Sequence, residues 1–149
     1  MDYEASITLD AATDLSVPFE IGTPDIPTYS VSTFAANETR KELVEQIKLT
    51  KLDLYLSSPE KSDLGFIKSI EVFIQAEGLE KTRIAWAEEV PDAVADYLSL
   101  NVSNTDLKEY IKLDNFSLRV ETVTDEVITT DHDIKIESTF FVDAKILGQ

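Results

Sequence analysis

Ile47-Lys-Leu-Thr-Lys-Leu-Asp-Leu-Tyr-Leu56 is the stretch whose reading decides the fold class. Leu52, Leu54 and Leu56 alternate with Asp53, Tyr55 and Ser57. That period of two puts the leucines on one side of an extended strand and the polar residues on the other. Leu49 is out of phase with the set, so the spacing predicts a bulge near Thr50-Lys51. Just upstream, Thr39-Arg-Lys-Glu42 fits a capping box, with Thr39 at N-cap and Glu42 at N3. Leu43, Val44 and Ile47 then fall on one helical face, so a short helix passing directly into a strand is expected here.

The same alternation runs outward in both directions. Tyr3, Ala5, Ile7 and Leu9 show it, as do Leu15, Val17, Phe19 and Ile21. Further along come Ile70, Val72, Ile74 and Ala76, then Ile84 and Trp86, then Leu98, Leu100 and Val102, then Phe116, Leu118 and Val120. The last strand carries Ile134, Ile136, Phe140, Val142, Ala144 and Ile146. Gly22-Thr-Pro-Asp-Ile-Pro27 interrupts the pattern, because two prolines remove ladder donors. Tyr29, Val31 and Thr33 suggest a short extended segment after it. Ser58-Pro59 to Asp63, Glu77-Gly78 and Pro91-Asp92 are turn chemistry. Asp106-Leu-Lys-Glu109 opens a second short helix with Asp106 as its cap. Ile111-Lys-Leu-Asp-Asn-Phe-Ser-Leu-Arg-Val120 echoes the opening stretch at an offset of 64 residues. That echo is either a repeated helix-to-strand unit or a chance likeness between alternating strands.

About eight or nine strands with one apolar face each need a second apolar layer. The expected architecture is all-β: a two-sheet antiparallel β-sandwich with two short helical connections, in a single domain over residues 1–149. A closed barrel is the competitor. The sandwich is favoured because helical crossovers and a mid-strand bulge suit a chain that changes sheets.

The sequence has 149 residues, with 29 Asp and Glu against 13 Lys and Arg, a formal charge of −16. Such a charge repels phosphate, so nucleic acid and anionic lipid surfaces are not expected partners. The acids are spread from Asp2 to Asp143, which suits a solvated surface. Without cysteine there is no disulfide, Cys-ligated zinc, iron–sulfur cluster or thiol catalysis, and one histidine does not build a multi-His site. Apolar runs such as Phe140-Phe141-Val142 are far short of the roughly 20 residues of a membrane helix. Met1-Asp-Tyr-Glu-Ala-Ser6 has neither a basic nor an apolar leader segment, as expected of a cytoplasmic protein or of a mature form whose export signal has been removed.

Several segments bear a resemblance: Thr39-Arg-Lys-Glu-Leu43, Phe66-Ile-Lys-Ser-Ile-Glu-Val-Phe-Ile74, Asp106-Leu-Lys-Glu-Tyr-Ile111 and Ile134-Lys-Ile-Glu-Ser-Thr-Phe-Phe-Val142. With the opening Ile7-Thr-Leu-Asp-Ala-Ala-Thr-Asp-Leu-Ser-Val-Pro18, they cover nearly the whole chain and resemble a family of small Bacteroidota hypothetical or predicted lipoproteins. The resemblance implies export to the cell envelope, a lipid on an N-terminal cysteine, and an immunoglobulin-like β-sandwich. This sequence departs from the pattern in having no cysteine, so the lipidated residue would precede Asp2. The shared motifs are structural, and no catalytic residue is carried over.

Candidate chemistry is sparse. Asp131-His132-Asp133 would project its acids to one face of a strand and its imidazole to the other, so only a turn could gather them around a cation, and a solvated turn suffices. Trp86 would suit sugar stacking if exposed beside Tyr55 or Tyr97, but its phase with Ile84 assigns it to the core. Glu88-Glu89 and the pair Asp92 and Asp96 supply neighbouring carboxylates of the kind glycosidases use, yet 29 acids make such neighbours commonplace. No Asp-x-Asp-x-Asp-Gly loop, Gly-x-Ser-x-Gly, Ser-x-x-Lys or glycine-rich phosphate loop occurs. Asn37-Glu-Thr39, Asn101-Val-Ser103 and Asn115-Phe-Ser117 match glycosylation triplets by coincidence. Lys48, Lys51, Lys108 and Lys112 read as a solvated face. The sequence thus assigns no catalytic, cofactor, metal or ligand-binding residue. It leads to a non-catalytic binding or structural protein of the cell envelope, outer-membrane or extracellular, with a protein partner. A carbohydrate-binding accessory module and a subunit of a larger assembly are the alternatives.

Overall fold

The alternating segments pair into two antiparallel sheets, seen in a computed structural model that describes residues 1–11, 19–59, 63–90, 95–124 and 128–144. In chain order the strands are β1 (Asp2–Leu9), β2 (Phe19–Gly22), β3 (Ile26–Pro27), β4 (Val44–Ser58), β5 (Ile67–Gln75), β6 (Thr82–Ala87), β7 (Tyr97–Ser99), β8 (Asn101–Val102), β9 (Asn115–Thr124) and β10 (His132–Ala144). One sheet has the order β1-β10-β4-β7, the other β2-β9-β5-β6-β8, with β3 also on β9. The protein is an all-β sandwich. Leu15, Val17, Pro91, Asp92 and Ile146 lie outside the described residues.

The longest alternations make the longest strands. Ile134 faces Leu56, Ile136 faces Leu54 and Ser138 faces Leu52 across β10 and β4. Between Lys51 and Leu49 the register slips, leaving Thr50 unmatched, and the Thr50 hydroxyl donates to the Thr139 carbonyl at 3.0 Å. This is the expected bulge. It puts Leu49 and Leu52 on the same inner face, both buried. Opposite them lie Ile70, Val72, Ile74, Phe116, Leu118 and Val120 of the second sheet, in one contiguous core. Each such side chain contributes about 1.5–3 kcal/mol by leaving water. The strand expected over Leu98, Leu100 and Val102 is divided between β7 and β8, which lie in different sheets, and at the crossing the Leu100 N–H donates to the Leu52 carbonyl at 3.0 Å.

Three local expectations need correction. Tyr29, Val31 and Thr33 are not extended: α1 spans Ser30–Ala36, entered through Tyr29 at φ 52°. Ser30 and Phe34, four apart on one helical face, are buried while Val31 is exposed, so the tertiary contacts override the alternation. Ser30 Oγ also donates to the Lys112 carbonyl, tying the helix start to the loop before β9. Thr39 is buried, and the N-cap position falls at Arg40 instead, before a 3-10 turn at Lys41–Leu43 that leads into β4. Val44 and Ile47 enter the ladder with β10 instead, because a helix of one or two turns is marginal and β-branched residues pack well in a sheet. The 64-residue echo is no structural repeat over its first half, since Ile47–Leu49 is strand whereas Ile111 ends α2 (Lys108–Ile111) and Leu113 is exposed. Only Leu52–Leu56 and Phe116–Val120 correspond, as strands.

The N-cap position of α2 is Leu107, one residue beyond the expected Asp106, but the Asp106 carboxylate still bonds the first turn and does more. One oxygen, Oδ1, accepts the Lys108 N–H at 3.1 Å and the Ile47 N–H of β4 at 3.0 Å. Burial opposes its ionisation, but those two backbone donors and the Lys108 ammonium hold its carboxyl below the usual range.

Candidate functional site

The Asp131-His132-Asp133 segment divides across the strand as alternation requires. It is not a solvated turn at its centre: the His132 ring is buried, 4.8 Å from Phe66 edge-on, with Nδ1 at 2.9 Å from the Thr130 carbonyl. Asp133 faces out and accepts from the Thr8 and Ser58 hydroxyls at 2.7 and 3.0 Å, which holds its carboxyl below the usual range. Asp131 accepts the Ala11 N–H at 2.8 Å. Among the described residues no group of three or more His, Asp or Glu side chains is placed to hold a metal ion. Glu88, Glu89 and Asp96 are exposed.

Trp86 is not a core residue. A register slip between Val72 and Phe73 leaves Ile84 unmatched in β6. Ala85 then pairs with Val72 on the inside, while Trp86 pairs with Glu71 and Asn101 on the outer face. Arg83 lies over the indole at 4.5 Å and bonds Glu71 at 3.3 Å. Lys81 lies over Phe73 at 4.5 Å and bonds Glu121 at 3.2 Å, and Arg119 bonds Glu20 at 2.9 Å. Cations therefore cover both outer aromatic faces.

Tyr55 and Tyr97 form a pair on the outer face of the other sheet, ring centroids 5.0 Å apart. They are thus separated from Trp86 by both layers. Asp53, paired across strands with Ser99 and Glu137, is buried and takes Lys51 Nζ at 3.1 Å on Oδ2. This contact raises the Lys51 ammonium pKa, and burial followed by the Glu137 and Asp53 charges raises that of Tyr55.

The most open apolar region surrounds α1. Tyr29, Val31 and Phe141 are 68%, 64% and 60% exposed. A groove of about 420 Å³ runs between α1 and the end of β10, lined by Met1, Thr33, Phe34, Phe140, Phe141 and Val142. It shares Met1 and Thr33 with a second hollow of about 510 Å³ reaching Tyr3, Ile26 and Tyr29. Tyr3 lies between Phe116 and Phe140 at 5.2 and 5.7 Å, and its hydroxyl donates to the Thr28 carbonyl at 2.8 Å. Burial pushes its phenol pKa up, so it stays a neutral donor. The volume falls in the lower part of the ligand-pocket range, about 300–1,000 Å³.

At the groove floor Met1 and Phe140 exchange both backbone bonds, at 2.9 and 2.8 Å. No protein-family model matches this chain, and no curated protein is significantly similar to it. The sequence left this site unread because α1 itself was hidden under an accidental alternation. The four-residue spacing of Ser30 and Phe34 is the only local trace of it.

Proposed function

We propose that this chain is a non-catalytic β-sandwich that docks a protein partner through the α1 end. The observation that carries the reading is the exposure of Tyr29 and Val31 at the start of α1 and of Phe141 at the end of β10, around the hollows that flank this helix. On the outer face of the second sheet the Trp86 and Phe73 rings are covered by the paired cations Arg83 and Lys81, and exposed apolar surface is where proteins associate. The wide spread of acids keeps the remainder solvated. Placement at the cell envelope, through a lipid anchor before residue 2, rests on the family resemblance alone.

Photo-crosslinking tests the reading. A benzophenone amino acid at Val31 or Phe141, expressed in cells of the natural source, should give one discrete protein adduct. The same group at Trp86 or Tyr97 should give none. Adducts at the last two positions only would overturn the assignment. A carbohydrate-binding role is the second reading, supported by the Tyr55–Tyr97 pair beside Ser99 and Glu137. It predicts glycan binding that is lost in Tyr97→Ala.

A further inference from the structure

The registers of β10, β4 and β7 set the outer face of the first sheet out in rows. Glu137, Asp53 and Ser99 make one row, and Lys135, Tyr55 and Tyr97 make the next. Lys51, opposite Thr139, stands on the other side of Asp53. Two ammonium groups neutralise the two carboxylates: Lys51 bonds Asp53 at 3.1 Å and Lys135 bonds Glu137 at 3.2 Å. Lys135 also lies over the Tyr55 ring at 5.2 Å, while the Tyr97 ring, tilted by 51° against Tyr55, stays 39% exposed. One atom of this patch is unsatisfied. Asp53 is only 2% exposed, Lys51 takes its Oδ2, and no donor among the described residues reaches its Oδ1. Leaving a buried carboxylate oxygen without a donor is destabilising, so the position asks for a donor from outside the fold. Lys51 and Tyr97, in the rows on either side, are the exposed side chains whose rotation uncovers it.

We infer that this face binds a neutral sugar ring, stacked on Tyr97 and donating a hydroxyl hydrogen to Asp53 Oδ1. The inference rests on the carbohydrate reading and gives it a ligand class and an anchoring residue. A pyranose with equatorial hydroxyls, as in β-linked glucose, has a face of axial C–H groups and a rim of hydroxyls that both donate and accept. The patch answers both parts. The Tyr97 ring offers an apolar platform, Asp53 accepts with its charge, and the Lys51 ammonium and Ser99 hydroxyl beside it can donate. Charge then selects among sugars. An acidic sugar meets the repulsion of a chain carrying −16. An amino sugar meets Lys51 and Lys135, which already neutralise both carboxylates. A neutral ring meets neither penalty. Trp86 takes no part, since it lies on the outer face of the other sheet beneath Arg83.

The test is NMR titration of the isotope-labelled protein with three tetrasaccharides of one backbone: cellotetraose, its glucosamine counterpart and its glucuronate counterpart. The expected result is saturable millimolar binding of cellotetraose, with shifts at Asp53, Tyr55, Tyr97 and Ser99. Cross-relaxation should join the sugar C–H groups to the Tyr97 ring, and both charged tetrasaccharides should bind at least tenfold more weakly. Asp53→Val removes both oxygens and suits a strand, so it should keep or raise the urea midpoint while weakening binding at least tenfold. Tyr97→Ala is the second variant and removes the platform while leaving Asp53 in place. Binding that is lost in Tyr97→Ala but unchanged in Asp53→Val overturns the anchoring role and leaves the carbohydrate reading standing. Equal or tighter binding of either charged tetrasaccharide overturns the neutral class. A urea midpoint that falls in Asp53→Val along with the binding marks Asp53 as structural and overturns the inference too. Cross-relaxation needs no variant, and sugar contacts to Trp86 instead of Tyr97 also overturn it. No shift with any of the three up to tens of millimolar does the same, and a glycan array that is blank as well sinks the carbohydrate reading with it.

Discussion

Asp106→Ala should destabilise the protein well beyond what an exposed residue ordinarily contributes. A single carboxylate oxygen serves both the start of α2 and the Ile47 N–H of β4, and the Ile47 side chain is fully buried. Losing an Asp cap costs about 0.5–2 kcal/mol. Stranding the Ile47 donor adds about 1–3 kcal/mol. The Asp106 side chain is 34% exposed, so solvent screens part of its charge and the lower halves of both ranges apply. The expected loss is about 2–3 kcal/mol, or about 4–12 °C in Tm for a domain of this size. Asp106→Asn keeps an acceptor and should lose less than half of that. Urea unfolding at constant m measures the difference. The pH sign is also fixed: the folded carboxyl titrates below its unfolded value, so the contribution is complete above about pH 4 and fades as pH falls through the lowered folded pKa. An alanine variant within about 0.5 kcal/mol of the parent, or an asparagine variant as damaged as the alanine, would refute the bridging role.

Leu54→Ala, at a position with no solvent exposure facing the second sheet, should cost about 2–5 kcal/mol in urea unfolding. Arg83→Ala should uncover the Trp86 ring, raising its quenching by acrylamide while changing stability by less than about 1 kcal/mol. Asp133→Asn should flatten the acid limb of the stability curve. The parent's Asp133 has a lowered folded pKa, so its stabilisation exists above the unfolded carboxylate value and disappears as pH drops through the folded one.

The two-layer architecture was legible because period-two alternation reports burial directly, and even the Thr50 bulge shows as a phase slip between Leu49 and Leu52. A bulge was equally present at Ile84, but there the two phases both read as apolar: Ile84, Ala85 and Trp86 offer no polar residue to mark the switch. Trp86 was therefore assigned to the wrong face. Helix α1 was illegible for a related reason. Its placement depends on Ser30 meeting the loop before β9 and on Phe34 meeting the end of β10, contacts between residues some 80 or more apart in sequence. The capping box at Thr39 failed because local propensity for one turn is weaker than a strand ladder reaching β10.

Site-resolved hydrogen exchange on the free protein tests the two-sheet account most directly. Phe141 and Asp143 direct their amides to β4 and should be protected, as should Phe140 through Met1 and Leu100 through Leu52. Fast exchange at all four amides would contradict the account, since it would mean that β10 does not pair with its neighbours and that the chain does not cross between the sheets at Leu100.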